Sequence, residues 1–180
     1  QDNHRSGHSK SFAMTGWRLG YAILPSLEEA AVFKNLNINF YSCTTPFIQE
    51  AGREALENPE SATIIEQMRA EFEKRRNYVV AALNAIEGIT CAMPKGAFYV
   101  FPNISGVCEY LGATESTQFQ KFLLYRHGVA TMDRRSFGKI GSEGKHFIRI
   151  STATDLESLR LGIERIKIAS KDRDGFSAFI

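Results

Sequence analysis

Lys10 lies between two serines, in the segment Ser9-Lys10-Ser11, and Arg18 follows it eight positions later. A lysine amine condenses with an aldehyde to form a Schiff base, and a planar guanidinium binds a phosphate through two charge-assisted hydrogen bonds. The pair therefore suits a phosphorylated aldehyde cofactor, held covalently by Lys10 and through its phosphate by Arg18. An isolated lysine without such a setting is usually a solvated surface residue.

A nucleotide-binding loop is the other chemistry that places a lysine beside a phosphate. That loop requires a glycine directly before the lysine and another glycine five positions before the first. Ser9 and His4 occupy those two positions, so the sequence excludes this alternative.

The stretch Ser9–Tyr21, which reads SKSFAMTGWRLGY, resembles the cofactor-attachment motif of the class I/II aminotransferases, pyridoxal-phosphate enzymes of fold type I. The resemblance implies that Lys10 forms the Schiff base and also serves as general base toward the substrate. It implies that Arg18 binds the cofactor phosphate, with a further hydroxyl contact from Ser9. The part Ala13–Tyr21 points to the branch that resembles bacterial aspartate aminotransferases.

Two of the residues that precede Lys10 differ from the family pattern. Gly7 stands where many members carry a serine that contacts the phosphate, and His8 stands where many carry an apolar or small residue.

Two weaker matches elsewhere in the chain agree with the alignment to this family. Pro94–Tyr99 resembles the hairpin that begins the small domain, and Tyr41–Pro46 resembles a segment that approaches the neighbouring subunit; both could equally be structural turns.

Arg149 is a charged residue inside an otherwise apolar strand pattern, Phe147–Ser151. A charge in such a setting is costly unless it is paired. From the residues alone, Arg149 is either an edge-strand arginine directed to water or one bound to an internal carboxylate. The resemblance implies a third role, in which its guanidinium grips the α-carboxylate of the substrate.

The family implies a reaction that moves an amino group from an L-amino acid, aspartate or a related one, to a 2-oxo acid. It also implies a homodimer with amino-acid and 2-oxo-acid substrates as its small-molecule partners. A β-lyase, a decarboxylase or a synthase on the same fold would use the same residues, Lys10, Arg18 and Arg149. A domain that has lost catalysis and serves as an interaction module is the alternative from another class. The retained trio argues against it for the full-length protein, whereas the 180-residue chain alone could be catalytically silent.

The composition limits the remaining classes. The chain has 180 residues, 43% of them hydrophobic and 23% charged, which is typical of a globular protein. A formal net charge of +2 gives no argument for nucleic acid or an anionic membrane as partner. The three cysteines, Cys43, Cys91 and Cys108, lack the spacing of a metal site and indicate reduced structural thiols in a cytoplasmic protein.

Hydrophobic periodicity predicts the elements that position these residues. A loop over residues 1–25 carries Lys10. The tail 171–180 either packs against the domain or extends into solvent. Helices are predicted over Leu27–Asn37, Phe47–Glu57, Ala62–Glu87 and Ser116–His127, with a last helix opened by a capping box at Thr154 and Glu157. Strands are predicted over Leu19–Leu24, Thr90–Met93, Ala97–Asn103, Val129–Met132 and His146–Ser151.

The predicted fold class is α/β (α+β), in which a remnant of a fold type I large domain is followed by a small domain with a short antiparallel or mixed sheet. The predicted divisions are residues 1–60 for the large-domain remnant, 61–88 for a bridging helix, 89–170 for the small domain and 171–180 for the tail. The resemblance covers residues 5–168 and matches the C-terminal half of a typical member. The 180-residue chain alone is therefore expected to have little activity, because the cofactor-ring contacts of the family precede the lysine.

Overall fold

The structure is a computed structural model, which describes residues 4–138 and 144–180. It separates into two compact units, Gln1–Arg69 and Ala70–Ile180. The domain limits drawn from the sequence at residues 60, 88 and 170 stay a prediction. Residues 139–143, between the predicted strands Val129–Met132 and His146–Ser151, lie outside the described residues.

The first unit begins with an antiparallel ribbon. Strand β1 (His4–Gly7) pairs with strand β2 (Gly20–Ile23), and Gly7 lies opposite Gly20. The connection between them contains a one-turn helix, α1 (His8–Ser11), and a 3-10 turn over Thr15–Trp17. The sequence predicted an irregular loop here, so β1 and α1 are findings of the structure.

Helices α2 (Leu27–Tyr41) and α3 (Pro46–Glu57) complete the first unit, together with the first part of α4 (Ser61–Asn84). The Ser26 hydroxyl caps α2 by accepting a hydrogen bond from the Glu29 amide at 3.2 Å. Helix α2 continues four residues beyond its predicted end at Asn37. None of its residues is buried, although it carries Leu27, Phe33, Phe40 and Tyr41. The first unit therefore exposes several large apolar side chains of this helix.

The second unit is built on a three-stranded antiparallel sheet. Strand β5 (Ile148–Ser151) lies in the centre, between β3 (Tyr99–Val100) and β4 (Met132–Asp133). Four further helices surround it: α5 (Ser105–Leu111), α6 (Ser116–His127), α7 (Leu156–Ala169) and α8 (Arg173–Ser177). The core of the described residues lies in this unit and includes Val79, Leu83, Val100, Ile104, Phe119, Phe122, Leu123, Ile148, Ile166 and Phe176.

One helix of the second unit has the predicted bounds, whereas two predicted strands do not. Helix α6 covers the predicted residues, and Gly128 ends it in the left-handed conformation, at φ 64°. The C-terminal tail docks, because it forms α8 and buries the ring of Phe176. The predicted strands over 90–93 and 97–103 are too long, since Thr90 forms only a single bridge with Asn103 and β3 has two residues.

Two helix ends differ from the sequence prediction for a local reason. Helix α4 ends at Asn84 rather than Glu87, because the Asn84 side chain turns to bond the Cys91 backbone, donating to its carbonyl at 2.9 Å and accepting from its amide at 2.8 Å. Helix α7 is capped by Asp155 rather than Thr154. The Asp155 carboxylate accepts hydrogen bonds from the amide of Ser158 at 2.8 Å and from its hydroxyl at 2.7 Å.

Within residues 4–138 and 144–180, no helix combines the length and apolar character needed to cross a membrane. The two buried thiols of the second unit, Cys91 and Cys108, are unreactive because burial disfavours the thiolate form. Burial raises the pKa of Cys108 to about 12 and also raises the pKa of Cys91. Both side chains therefore remain protonated near neutral pH, in agreement with their prediction as structural thiols.

Candidate functional site

Lys10 and Arg18 lie in the same connection, between β1 and β2. The ribbon continues one step past Gly7 and Gly20, because the His8 amide donates to the Leu19 carbonyl at 3.1 Å. Lys10 comes two residues after His8, and Arg18 comes one residue before Leu19. The structure thus brings the two predicted cofactor ligands to the same end of the ribbon, where both residues are exposed.

Thr15 connects the two sides of this loop. Its hydroxyl donates to the Ser9 carbonyl at 2.8 Å, and its own carbonyl accepts from Arg18 Nη1 at 3.0 Å. Arg18 itself has a left-handed backbone, with φ 54° and ψ 40°, which is uncommon for a residue with a side chain. Thr15 therefore contacts both the residue beside Lys10 and a terminal nitrogen of the Arg18 guanidinium.

The two ends of the loop, at His8 and Leu19, pack against helix α3. The ring of His8 is buried and contacts the rings of Phe12 and Tyr21, at centroid distances of 5.2 and 5.9 Å. A Cβ placed on Gly52 of α3 would lie 2.2 Å from Leu19 Cδ2 and 3.4 Å from His8 Nε2. The absent side chain at position 52 lets the two ends of the loop approach the helix.

A phosphorylated aldehyde fits the donors that this loop presents. An exposed lysine is accessible to an aldehyde carbon, and a guanidinium carries five N–H donors, more than its one bond to Thr15 uses. An open cleft of about 1080 Å³ begins at Arg18 and is also lined by Lys34, Tyr41 and Gln49; Lys10 does not line it. The charges of Lys10 and Arg18 both favour the phosphate of such a ligand.

Ser9 is half-buried beside Lys10, and the structure uses its carbonyl rather than its hydroxyl in the bond with Thr15. Its predicted hydroxyl contact with the cofactor stays a prediction. Lys10, Ser9 and Arg18 thus belong to one loop of the first unit, whereas Arg149 belongs to the second unit.

Arg149 lies in β5, the central strand, so its interpretation as an edge-strand residue is wrong. No carboxylate within the described part of the chain pairs with it, so the second alternative also finds no support there. Its guanidinium carbon lies 4.1 Å from the centre of the Tyr99 ring and 4.6 Å from that of Phe137. Arg149 is a half-buried cation that contacts aromatic rings and the sulfur of Met132.

Sequence reasoning missed four residues that shape these sites. Thr15 lies inside the recognised motif, three residues before Arg18, and that spacing was the available signal. Tyr99 stands at the end of the hairpin match, whereas Phe137 and Gly52 carried no signal, because their contacts come from residues distant in the sequence.

Comparison with known proteins gives the family context. The sequence pattern of the family "Aminotransferase class I and II" matches residues 5–166. A probable aspartate/prephenate aminotransferase of Aquifex aeolicus is 41% identical over 164 residues, which cover 91% of this chain and 40% of that protein. An aspartate aminotransferase of Pyrococcus horikoshii is 42% identical over 161 residues, which cover 89% of this chain and 39% of that protein.

Solved structures agree with these matches. An aromatic aminotransferase from Pyrococcus horikoshii superposes with a TM-score of 0.82 at 37% identity, and the match covers 95% of this chain and 43% of that one. The chain thus spans about two fifths of the length of these relatives. The predicted family and fold class are confirmed, and so is the cofactor, because proteins of this family are pyridoxal-phosphate enzymes.

Proposed function

We propose that this chain, which belongs to the class I and II aminotransferase family, carries the cofactor-attachment lysine and the substrate-carboxylate arginine of a pyridoxal-phosphate aminotransferase. The full-length protein transfers the amino group of an L-amino acid to a 2-oxo acid. The observation that supports this most directly is the pair of hydrogen bonds at Thr15, which connect the Ser9 carbonyl beside Lys10 with the Arg18 guanidinium within one loop.

Lys10 is proposed to hold the cofactor through a Schiff base with its ε-amine. Pyridoxal phosphate supplies an electron sink for the electron pair left at the substrate Cα when its proton departs. When it is not bonded to the cofactor, the Lys10 amine would accept the proton from Cα. The same residue would thus hold the cofactor and serve as general base.

Arg18 is proposed to bind the cofactor phosphate. Its Nη1 is committed to the Thr15 carbonyl, which orients the guanidinium plane, and the phosphate meets the remaining N–H edge. Ser9 is proposed to add a hydroxyl donor to the same phosphate. A lysine at position 18 would keep the charge but lose this planar geometry.

Arg149 is proposed to bind the α-carboxylate of the substrate. It is a half-buried cation without an acidic partner among the described residues, and a bidentate carboxylate satisfies both its charge and its planar donor edge. Aspartate, or an amino acid related to it, is the proposed amino donor, since two of the relatives named above are aspartate aminotransferases or probable ones. A homodimer located in the cytoplasm is proposed for the full-length protein.

Product stoichiometry tests the reaction class. The purified full-length protein, incubated with aspartate and 2-oxoglutarate, should form one glutamate for each aspartate consumed, with no release of ammonia. Lys10→Ala should abolish this exchange. Release of ammonia would assign the protein to the lyases instead, and consumption of aspartate with release of carbon dioxide but no glutamate would assign it to the decarboxylases.

A further inference from the structure

Arg149 shares its environment with two aromatic residues, Tyr99 and Phe137, which we call the aromatic clamp. Tyr99 lies opposite Ser151 in the β3–β5 pair, so it is the diagonal neighbour of Arg149 on the same face of the sheet. Phe137 comes from the 3-10 turn that follows β4. The two ring centres lie 4.1 and 4.6 Å from the guanidinium carbon.

The clamp is itself supported. The Phe137 ring packs edge-on against Phe101 at 6.0 Å, and Phe101 stacks on Phe147 at 5.4 Å. Phe147 is two residues before Arg149 along the chain, so the aromatic contacts return to the segment that carries the arginine. A ring supported in this way restricts the rotamers of the long arginine side chain that lies over it.

Ring faces and carboxylates use different parts of a guanidinium. Aromatic rings attract its flat face, whereas its N–H donors point outward in the plane. Rings against the flat face of Arg149 would leave its donor edge to a carboxylate, apart from the bond that Nη2 donates to the Met132 sulfur. It also supplies partial compensation for the positive charge, which no acidic side chain of the described residues provides.

We propose that Tyr99 and Phe137 are positioning residues that hold the Arg149 guanidinium in the plane in which it receives the substrate carboxylate. They act on substrate affinity rather than on the proton transfer at Cα. This inference rests on the role proposed for Arg149. It adds two residues that act through Arg149.

The test uses the full-length holoenzyme with Tyr99→Leu, Phe137→Leu and Tyr99→Phe. Each leucine variant should raise KM for the amino acid by about threefold to tenfold, while kcat changes by less than about twofold. Tyr99→Phe should keep the wild-type KM, because it keeps the ring face.

A second readout separates positioning from general damage. The dissociation constants of a short 2-oxo acid and of its carboxamide are measured, and their ratio reports the recognition of the carboxylate. The leucine variants should lower this preference by about threefold to tenfold. An equal increase in both dissociation constants would overturn the inference, since a structural defect alone gives that result.

Tyr110→Leu is the matched control. The Tyr110 ring also faces an arginine, with the Arg173 guanidinium carbon 6.0 Å from its centre, but Arg173 has no proposed carboxylate role. The preference for the carboxylate should not change in this variant. An equal loss there would overturn the inference.

Arg149→Leu distinguishes this inference from the proposed function. If Arg149→Leu leaves the preference for the carboxylate unchanged, the role of Arg149 itself fails. If Arg149→Leu removes the preference but the clamp variants keep it, the proposed function stands and the clamp is refuted.

Discussion

Gly52→Ala tests whether close packing of helix α3 against Leu19 and His8 supports both ends of the Lys10 loop. The new Cβ would lie 2.2 Å from Leu19 Cδ2, whereas carbon atoms in contact are separated by about 3.5–4.0 Å. The methyl group of Leu19 must therefore move by more than about 1 Å. Leu19 adjoins Arg18, so the displacement reaches the proposed phosphate ligand.

Two opposing terms set the expected effect on stability. Overpacking costs about 1–3 kcal/mol, and alanine in place of glycine inside a helix stabilises by about 0.5–1 kcal/mol. The net effect on the free energy of unfolding should be a loss of about 0–2.5 kcal/mol. Because Cδ2 is the end of a flexible side chain, we expect the lower half of this range.

The same substitution in a Leu19→Ala protein should change stability in the opposite direction. In a Leu19→Ala protein the clashing atom is gone, so Gly52→Ala should then stabilise the first unit by about 0.5–1 kcal/mol. Urea unfolding of the chain can be followed through Trp17, its single tryptophan, which lies in this loop. Gly16→Ala is the control in the same loop, since a Cβ there meets no atom within 4 Å.

Two results would refute this reasoning about Gly52. The first is that Gly52→Ala stabilises the original chain as much as it stabilises the Leu19→Ala background. The second is that it destabilises both equally, because a cost independent of Leu19 cannot come from the contact described here.

Two further predictions concern the second unit. Asn84→Ala removes both bonds to the Cys91 backbone and should lower the free energy of unfolding by about 1–2 kcal/mol, measured by urea denaturation; an unchanged midpoint would contradict this. The hydrogen bonds donated by Ser158 hold the pKa of Asp155 at about 2, below its ordinary value of 3.8, so the carboxylate stabilises the folded chain above about pH 4 and loses this effect as the pH falls toward 2. The stability difference between the original chain and Asp155→Ala should therefore shrink over that interval in unfolding curves, and a constant difference would contradict it.

The sequence predicted the elements whose signals are local. Helix α6 was found with both its ends, because a left-handed glycine at position 128 is a local stop signal. The motif around Lys10 was recognised for the same reason, since Lys10 and Arg18 belong to one short loop. The bounds of α7 were missed by one capping residue, because Thr154 and Asp155 are both good caps and only the bonds with Ser158 decide between them.

What the sequence could not provide depends on contacts between distant segments. Arg149 could not be placed in a central or an edge strand until the pairing of β5 with both neighbours was known. Its contact with Phe137 joins two segments separated by a connection that gives no periodic signal. The close approach of Gly52 to Leu19 likewise joins residues far apart in the sequence, and a glycine inside a helix gives no indication of what it faces.

The central claim is that the Lys10 amine attaches the cofactor. Borohydride reduction of the full-length holoenzyme fixes the cofactor to its lysine, and peptide mapping by mass spectrometry then locates the added mass. The account predicts the modification on the peptide that contains Lys10 and its loss in Lys10→Ala. Modification of a different lysine in the original protein, or none at all, would contradict it.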